Sequence, residues 1–377
     1  MTPWYPWPEI PHWGVWVMSQ ARALMREHEV VVLAFKPRDD AVKPYTLSDR
    51  VEEGLRTLRI GYPPPRVPGQ GLLATRAGTK QALDRLASDG FAPEVIHAHV
   101  FLSSPAALTA KRRTGAPLLI TEHLTRVTES QLSLPERALA RFTYRRADLV
   151  TTTAEPMVER VRKLGARRTT HTWNAVDTEL FSPARRRRSD GEIRAIAAGS
   201  LNEKKGHRYL LEAVAEASSS EPRLSLDLVG DGELRGELET QAHSLGIADA
   251  IRFRGYVTHE RLAELMRESD LHVLPSLREN QPHVAAEAMA TGIPTVGTEV
   301  GGVPEMLAGG AGVVVSKADP KALAGAICEV CSRLDSYDRE SLAGLARKRY
   351  SYEAVRRQWS EIYEALASGR ADKLAED

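Results

Sequence analysis

What most constrains the fold of this chain is a rhythm. Short apolar, often β-branched runs alternate with amphipathic stretches from near the start to near the end. In the first half the runs are residues 29–35, 95–99, 118–121 and 149–153, with helical spacing of apolar residues in 19–26, 104–113, 136–146 and 156–164. In the second half they are 193–198, 224–229, 251–254, 271–274, 295–296 and 312–315, separated by helical stretches at about 206–217, 231–245, 259–267, 282–290 and 320–333. Strands that alternate with helices pair in parallel and are covered on both faces, so they show no polar alternation of their own. The rhythm occurs twice, and the expected fold class is α/β, with two doubly wound parallel-sheet, Rossmann-like domains. A chain of 377 residues has room for two such cores.

The expected division is 1–183 for the first domain, 184–191 for a linker, 192–350 for the second domain and 351–377 for a closing helix and tail. The linker carries four arginines and no apolar residue larger than alanine. In the closing stretch Val355, Trp359, Ile362, Tyr363 and Leu366 fall at helical spacing and need a surface to pack on. The start departs from the rhythm. Four prolines fall in the first eleven residues, which rules out a central strand there. The first strand is therefore expected to be short or missing, a chain start set too late being one reason.

Net charge is +1, but residues 1–188 hold 29 Lys and Arg against 19 Asp and Glu, while the rest holds 22 against 31. A basic half can draw an anionic partner or touch a membrane surface; solvated helix faces and an arginine-rich linker are the plainer reading. No apolar run is long enough to span a bilayer, and no basic segment followed by a long apolar core suggests a signal peptide. The two cysteines, Cys328 and Cys331, lie within one helical stretch. They read as core or rim residues in a reducing, cytoplasmic setting rather than as a metal or redox site. Trp4, Trp7, Trp13 and Trp16 crowd the start. They suit sugar stacking, a lipid interface or core packing equally.

The strongest chemical signal is the segment from Arg278 to Pro294. Glu279 and Glu287 stand eight positions apart across a loop-to-helix junction that follows a strand end. Open α/β sheets bind ligands at such edges. Pro282 suits the first helical turn, and the free N–H groups of that turn, with the helix dipole, favour a diphosphate. A carboxylate further in, Glu287, can accept hydrogen bonds from ribose hydroxyls. Taken alone, two glutamates and a lysine would read as solvated surface groups; the neighbourhood argues otherwise.

That segment resembles the Glu-x7-Glu signature of glycosyltransferase family 4, the group 1 glycosyltransferases, a family of retaining transferases with the GT-B fold. Residues 199–206 (Gly-Ser-Leu-Asn-Glu-Lys-Lys-Gly), 228–232 (Leu-Val-Gly-Asp-Gly) and 300–305 (Val-Gly-Gly-Val-Pro-Glu) resemble its other loops, and residues 95–99 and 173–177 match in the first half. The resemblance implies two domains facing across a cleft, the closing helix crossing back to the first. The second domain would hold a nucleoside-diphosphate sugar, UDP- or GDP-linked, and the first an acceptor. It implies that Glu279 lies near the donor sugar, that Lys205 neutralises the departing diphosphate and that His123 faces the reacting sugar, these three being the catalytic candidates. It implies that Glu287 binds the ribose, and that Ser200, Gly230, Gln281, Pro282, His283, Val284 and the glycine loop at Gly14 line the donor. His123 could instead be a satisfied core histidine. His97 and His99 read as structural or rim residues, and Asn174 as shaping the passage between domains.

Two departures stand out. Many members carry arginine where this chain has Ser200, and the two-glycine loop near the start is replaced by Pro11-His12-Trp13-Gly14. No Asp-x-Asp follows a strand, so neither a catalytic metal nor a cofactor is expected. The expected reaction is a retaining, metal-independent hexosyl transfer to a glycan, a lipid-linked or a small-molecule acceptor, serving cell-surface glycan, glycolipid or secondary-metabolite synthesis. An anionic acceptor, at the inner face of the membrane, would suit the basic half; nucleic acid is not expected. A nucleotide-sugar epimerase of the same fold and a silent nucleotide-sugar-binding subunit are the rival readings. An epimerase would convert its nucleotide sugar with no acceptor present, and a silent subunit would turn nothing over.

Overall fold

The computed structural model describes residues 1–10, 13–42, 44–52, 54–66, 69–184 and 191–374. Pro11 and His12 of the expected loop, and residues 185–190 of the expected linker, lie outside the described residues. The chain forms two compact units, Met1–Asn174 with Val355–Asp377, and Ala175–Ala354. Both are parallel-sheet α/β structures.

The first unit contains β1 (Val31–Pro37), β2 (Thr46–Glu52), β3 (Leu55–Tyr62), β4 (Ile96–His99), β5 (Leu118–Glu122), β6 (Leu149–Thr152) and β7 (Thr169–His171). They lie in two pieces, ordered β1-β3-β2 and β4-β5-β6-β7. Only β2 runs antiparallel to its neighbour. The pieces meet through two residues. Met1 bonds β4, its amino group donating to the His97 carbonyl at 2.6 Å and its carbonyl accepting from His99 N at 2.9 Å. Thr2 bonds β1, donating to the Leu33 carbonyl at 3.0 Å and accepting from Phe35 N at 3.1 Å. The chain then turns away at Pro3, as the proline-rich start requires.

Of the crowded tryptophans, Trp7 is buried beneath Lys36, Arg38 and Arg59, which stand over its ring, whereas Trp13 is largely exposed and meets Trp4 edge-on. The helix Tyr352–Ala367 buries Val355, Trp359, Ile362 and Leu366, the stripe its spacing predicts. Tyr363 bonds His97 Nδ1 at 2.7 Å and Gln358 bonds the His171 carbonyl at 3.1 Å, so this helix belongs to the first unit.

The second unit contains β8 (Ile193–Ala198), β9 (Leu224–Val229), β10 (Ile251–Gly255), β11 (Leu271–Leu274), β12 (Thr295–Thr298) and β13 (Gly312–Val315). All are parallel, in the order β10-β9-β8-β11-β12-β13. The winding reverses between β8 and β11, which opens a crevice at their C-terminal ends. Leu226, Leu228, Val273 and Val296 are fully buried beneath Leu210, Val214, Ile327 and Val330 of the flanking helices. Cys328 and Cys331 lie on the helix Pro320–Ser332 as free thiols. Among the described residues no helix is long and apolar enough to cross a membrane.

Candidate active site

In the second unit the loops that leave β8, β11 and β12 are tied to one another at the switch point. Leu277 N donates to the Lys204 carbonyl at 2.8 Å, Thr298 Oγ1 to the Ser276 carbonyl at 2.5 Å, and Gly302 N to the Asn280 carbonyl at 2.7 Å. Gly301 is the tightest of these joints. Its φ is 52°, and a Cβ there would sit 2.0 Å from the Glu279 carbonyl oxygen, so only glycine fits.

Lys205 ends a single 3-10 turn, Glu203–Lys205, and the helix His207–Ser218 starts two residues later. Its Nζ donates to Glu279 Oε1 at 2.6 Å, and Ser276 Oγ donates to the same oxygen at 2.8 Å. Glu279 is only 6 % exposed. Burial alone would raise its pKa, but the charges of Lys205 and Lys204 and the bonds from Lys205 and Ser276 outweigh that and hold it below the usual carboxylate range. Burial, reinforced by Lys205, also lowers His207 and His272, to about 4 and about 3. In His283, burial, His259 and Lys205 together bring the value to about 4. All three rings are neutral at pH 7, so the positive charge acting on Glu279 comes from Lys205 and Lys204.

The helix His283–Ala290 begins one residue later than expected. Pro282 has an extended ψ of 116° and is the residue before the first turn, a place where its missing N–H costs nothing. Glu287, four residues into the helix, is 7 % exposed, and among the described residues its carboxylate accepts no hydrogen bond. His259 Nε2 stands 4.0 Å away. Burial raises Glu287 to about 7. Gln281 and Pro282 are buried, and His283 and Val284 half-buried. Ser200 is exposed just beyond β8, and Gly230 leaves β9 with its N–H on the Gly255 carbonyl at 2.8 Å.

In the first unit, His123 follows β5, and its Nε2 lies 3.1 Å from His99 Nδ1 with the two rings stacked. Its loop is pinned by Glu122, a fully buried carboxylate that accepts from the backbone N–H groups of Phe101, His123 and Leu124 and from the Tyr144 hydroxyl. His97 bonds Tyr363 and Thr121. Gly14, with φ 74°, precedes the helix Val15–Leu24, and a Cβ there would meet the Trp4 carbonyl carbon at 2.4 Å. The structure thus joins Lys205 directly to Glu279 and sets His283, Val284 and Glu287 on the adjoining helix, with Gln281 and Pro282 just ahead of it, while His123 and Gly14 belong to the other unit. Sequence reasoning missed Ser276, whose one signal is its place at a strand end three residues before Glu279. It also missed Glu122 and Tyr144, which pair across 22 positions. Among the described residues no cluster of His, Cys, Asp and Glu has the geometry to hold a metal ion.

Two family models match along the chain: a glycosyl transferase 4-like domain over residues 14–173 and glycosyl transferases group 1 over residues 192–333. A D-inositol 3-phosphate glycosyltransferase 2 of Catenulispora acidiphila is 30 % identical over 301 residues, covering 72 % of this chain and 70 % of that protein. The chain belongs to the group 1 glycosyltransferases, glycosyltransferase family 4. This glycosyltransferase is also 28 % identical to the glycogen synthase of Mycobacterium tuberculosis over 91 % of its own length and 88 % of the relative's. Among solved structures, sucrose-phosphate synthase from Thermosynechococcus elongatus superposes with a TM-score of 0.76 at 22 % identity, covering 94 % of each chain. Anabaena HepE in complex with UDP superposes with a TM-score of 0.73 at 18 % identity, covering 93 % of this chain and 96 % of that one. These likenesses establish the GT-B fold.

Proposed function

We propose that this glycosyltransferase moves a hexose-type sugar, with retained anomeric configuration and without a metal, from a UDP- or GDP-linked donor held by the second unit. The carrying observation is the ion pair of half-buried Lys205 with buried Glu279, beside Glu287, a carboxylate with no hydrogen-bond partner of its own among the described residues. A buried polar group without partners is costly and is retained where a ligand supplies them; ribose hydroxyls, which donate, suit Glu287. Lys205 meets the diphosphate as negative charge develops on it, the kind of electrostatic stabilisation that contributes most to many enzymes. Glu279 holds Lys205 in place and borders the sugar. In the step itself the bond from sugar C1 to the phosphate oxygen breaks and a bond from C1 to the acceptor oxygen forms on the same face. The acceptor proton passes to the departing phosphate.

Relatives support the donor class: HepE is a UDP complex, and the named relatives are glycosyltransferases and a glycogen synthase. For the acceptor, the basic first unit favours an anionic molecule, taken up in the cytoplasm at the inner face of the membrane. On the helix Leu134–Tyr144, exposed Leu134 and Phe142 lie among Arg137, Arg141 and Arg145, a mixture suited to an anionic bilayer.

The test is thermal stabilisation by a panel of nucleoside diphosphates and their sugars in EDTA, with Glu287→Ala alongside. At 100 times its dissociation constant a ligand adds about 2.7 kcal/mol. A shift with one nucleotide, lost in the variant, supports the reading. No shift with any, or a shift that needs added metal, overturns it.

A further inference from the structure

One side chain beside Glu287 has no part in the chemistry so far. His259 opens the helix His259–Arg267, which follows β10. Its Nε2 stands 4.0 Å from Glu287 Oε1, and its side chain is 60 % exposed where that of Glu287 is 9 % exposed. The carboxylate therefore lies at the bottom of a gap and the imidazole at its mouth.

The imidazole is held in place from behind. It meets the ring of Phe181 edge to face, with centroids 6.4 Å apart and planes at 89°, and Phe181 is fully buried. Phe181 closes a turn in which its N–H donates to the Asp177 carbonyl at 2.9 Å and Leu180 N donates to Asp177 Oδ1 at 2.9 Å. Arg267, at the far end of the His259 helix, donates to the Leu180 carbonyl at 2.8 Å, so both ends of that helix are tied to the same turn. Thr258 caps the helix, its hydroxyl accepting from Arg261 N at 3.3 Å. A side chain on a capped helix and packed against a fixed aromatic ring is preorganised to meet a ligand.

A direct hydrogen bond between nitrogen and oxygen needs about 3 Å, so His259 and Glu287 do not bond to each other. The gap does suit one small group between them. A hydroxyl oxygen about 2.7 Å from the carboxylate and about 2.9 Å from the ring nitrogen spans it. A hydroxyl also has the right chemistry for each side: its hydrogen goes to the carboxylate, and a lone pair receives the hydrogen carried by Nε2. We propose that His259 and Glu287 hold one ribose hydroxyl of the sugar donor between them, the imidazole donating and the carboxylate accepting, so that His259 helps to select ribonucleotides. This rests on the reading of Glu287 as a ribose ligand. It adds the group that completes the hydroxyl's bonding, since a carboxylate only accepts. A deoxyribose with C–H at that place would leave both side chains unpaired, which is how a site built for a hydroxyl rejects its absence.

The experiment is calorimetric titration of the whole chain at pH 8, above the Glu287 value of about 7, with UDP and GDP and with the 2′-deoxy and 3′-deoxy forms of each. His259→Ala and His259→Gln are compared with the unaltered protein, glutamine having an amide nitrogen that can stand where Nε2 stands. Equal melting temperatures of the three proteins check that the fold is kept. His259→Ala is expected to weaken the ribonucleotide and one of its deoxy forms about tenfold. It should leave unchanged the deoxy form that lacks the bridging hydroxyl, and His259→Gln should regain most of the loss. Equal weakening of all three forms would mark a general effect on the site and overturn the proposal, as would no weakening of any. If the unaltered protein binds none of these nucleotides, the donor site itself falls and this inference with it. If it binds one, and Glu287→Ala abolishes that binding while His259→Ala has no effect, the donor site stands and only the role of His259 falls.

Discussion

At the scale of single residues, the site is a set of buried charges whose balance can be tested one group at a time. Lys205→Met leaves Glu279 buried without its cation and is expected to cost about 3 kcal/mol of stability, most of it recovered in Lys205→Met/Glu279→Gln; urea denaturation of the three proteins decides this. Glu287 gives a pH dependence of opposite origin. Its folded value, near 7, lies above the ordinary carboxylate value, so the folded state binds the extra proton. That contribution is fully present below about pH 4.5 and is lost as pH rises through 7, by a few kcal/mol in all. Comparing stability at pH 5 and pH 8 should therefore show a decline that is much smaller in Glu287→Gln; a parallel decline would place its origin elsewhere. Gly301→Ala pushes a methyl group into the Glu279 carbonyl and should lower kcat/KM by about 100-fold, because small displacements at a preorganised site are costly.

At the scale of elements, the helix Tyr352–Ala367 offers the clearest prediction. Trp359 is almost fully buried and its ring lies 4.8 Å from that of His97. Trp359→Ala should destabilise the protein by about 3–5 kcal/mol in chemical denaturation. This helix was legible in the sequence because its apolar stripe is strict. The strands β8, β9, β11 and β13 were legible for a similar reason, being short runs with few polar interruptions. The 19-residue helix Gln70–Ser88 was not, since its buried face includes Thr75, Gly78 and Thr79 and its Leu72 and Leu73 are exposed. The hairpin of β2 and β3 was hidden by charge. Asp49 of β2 pairs with Arg56 of β3 at 2.7 Å, so the sequence there reads as polar surface. In the site, Lys205, Glu279 and Glu287 could be picked out by motif, but the Lys205–Glu279 contact spans 74 positions, and no local pattern announces it.

At the scale of the whole molecule, the basic balance of the first half predicts binding to anionic vesicles that falls roughly tenfold between 50 and 500 mM salt, as co-sedimentation would show. Salt-independent binding would shift the explanation to the exposed apolar residues alone. The chain leaves the first unit after Asn174 and re-enters it at Val355, so the second unit is in effect an insertion within the first. During synthesis, therefore, residues 1–174 emerge long before the helix that completes their core. At 5–20 residues per second the ribosome takes roughly 10–40 s to make the intervening stretch. The second unit, contiguous in sequence, can finish folding in that interval. The first waits with the seat of Trp359 open, and it is the half that a chaperone would have most reason to hold.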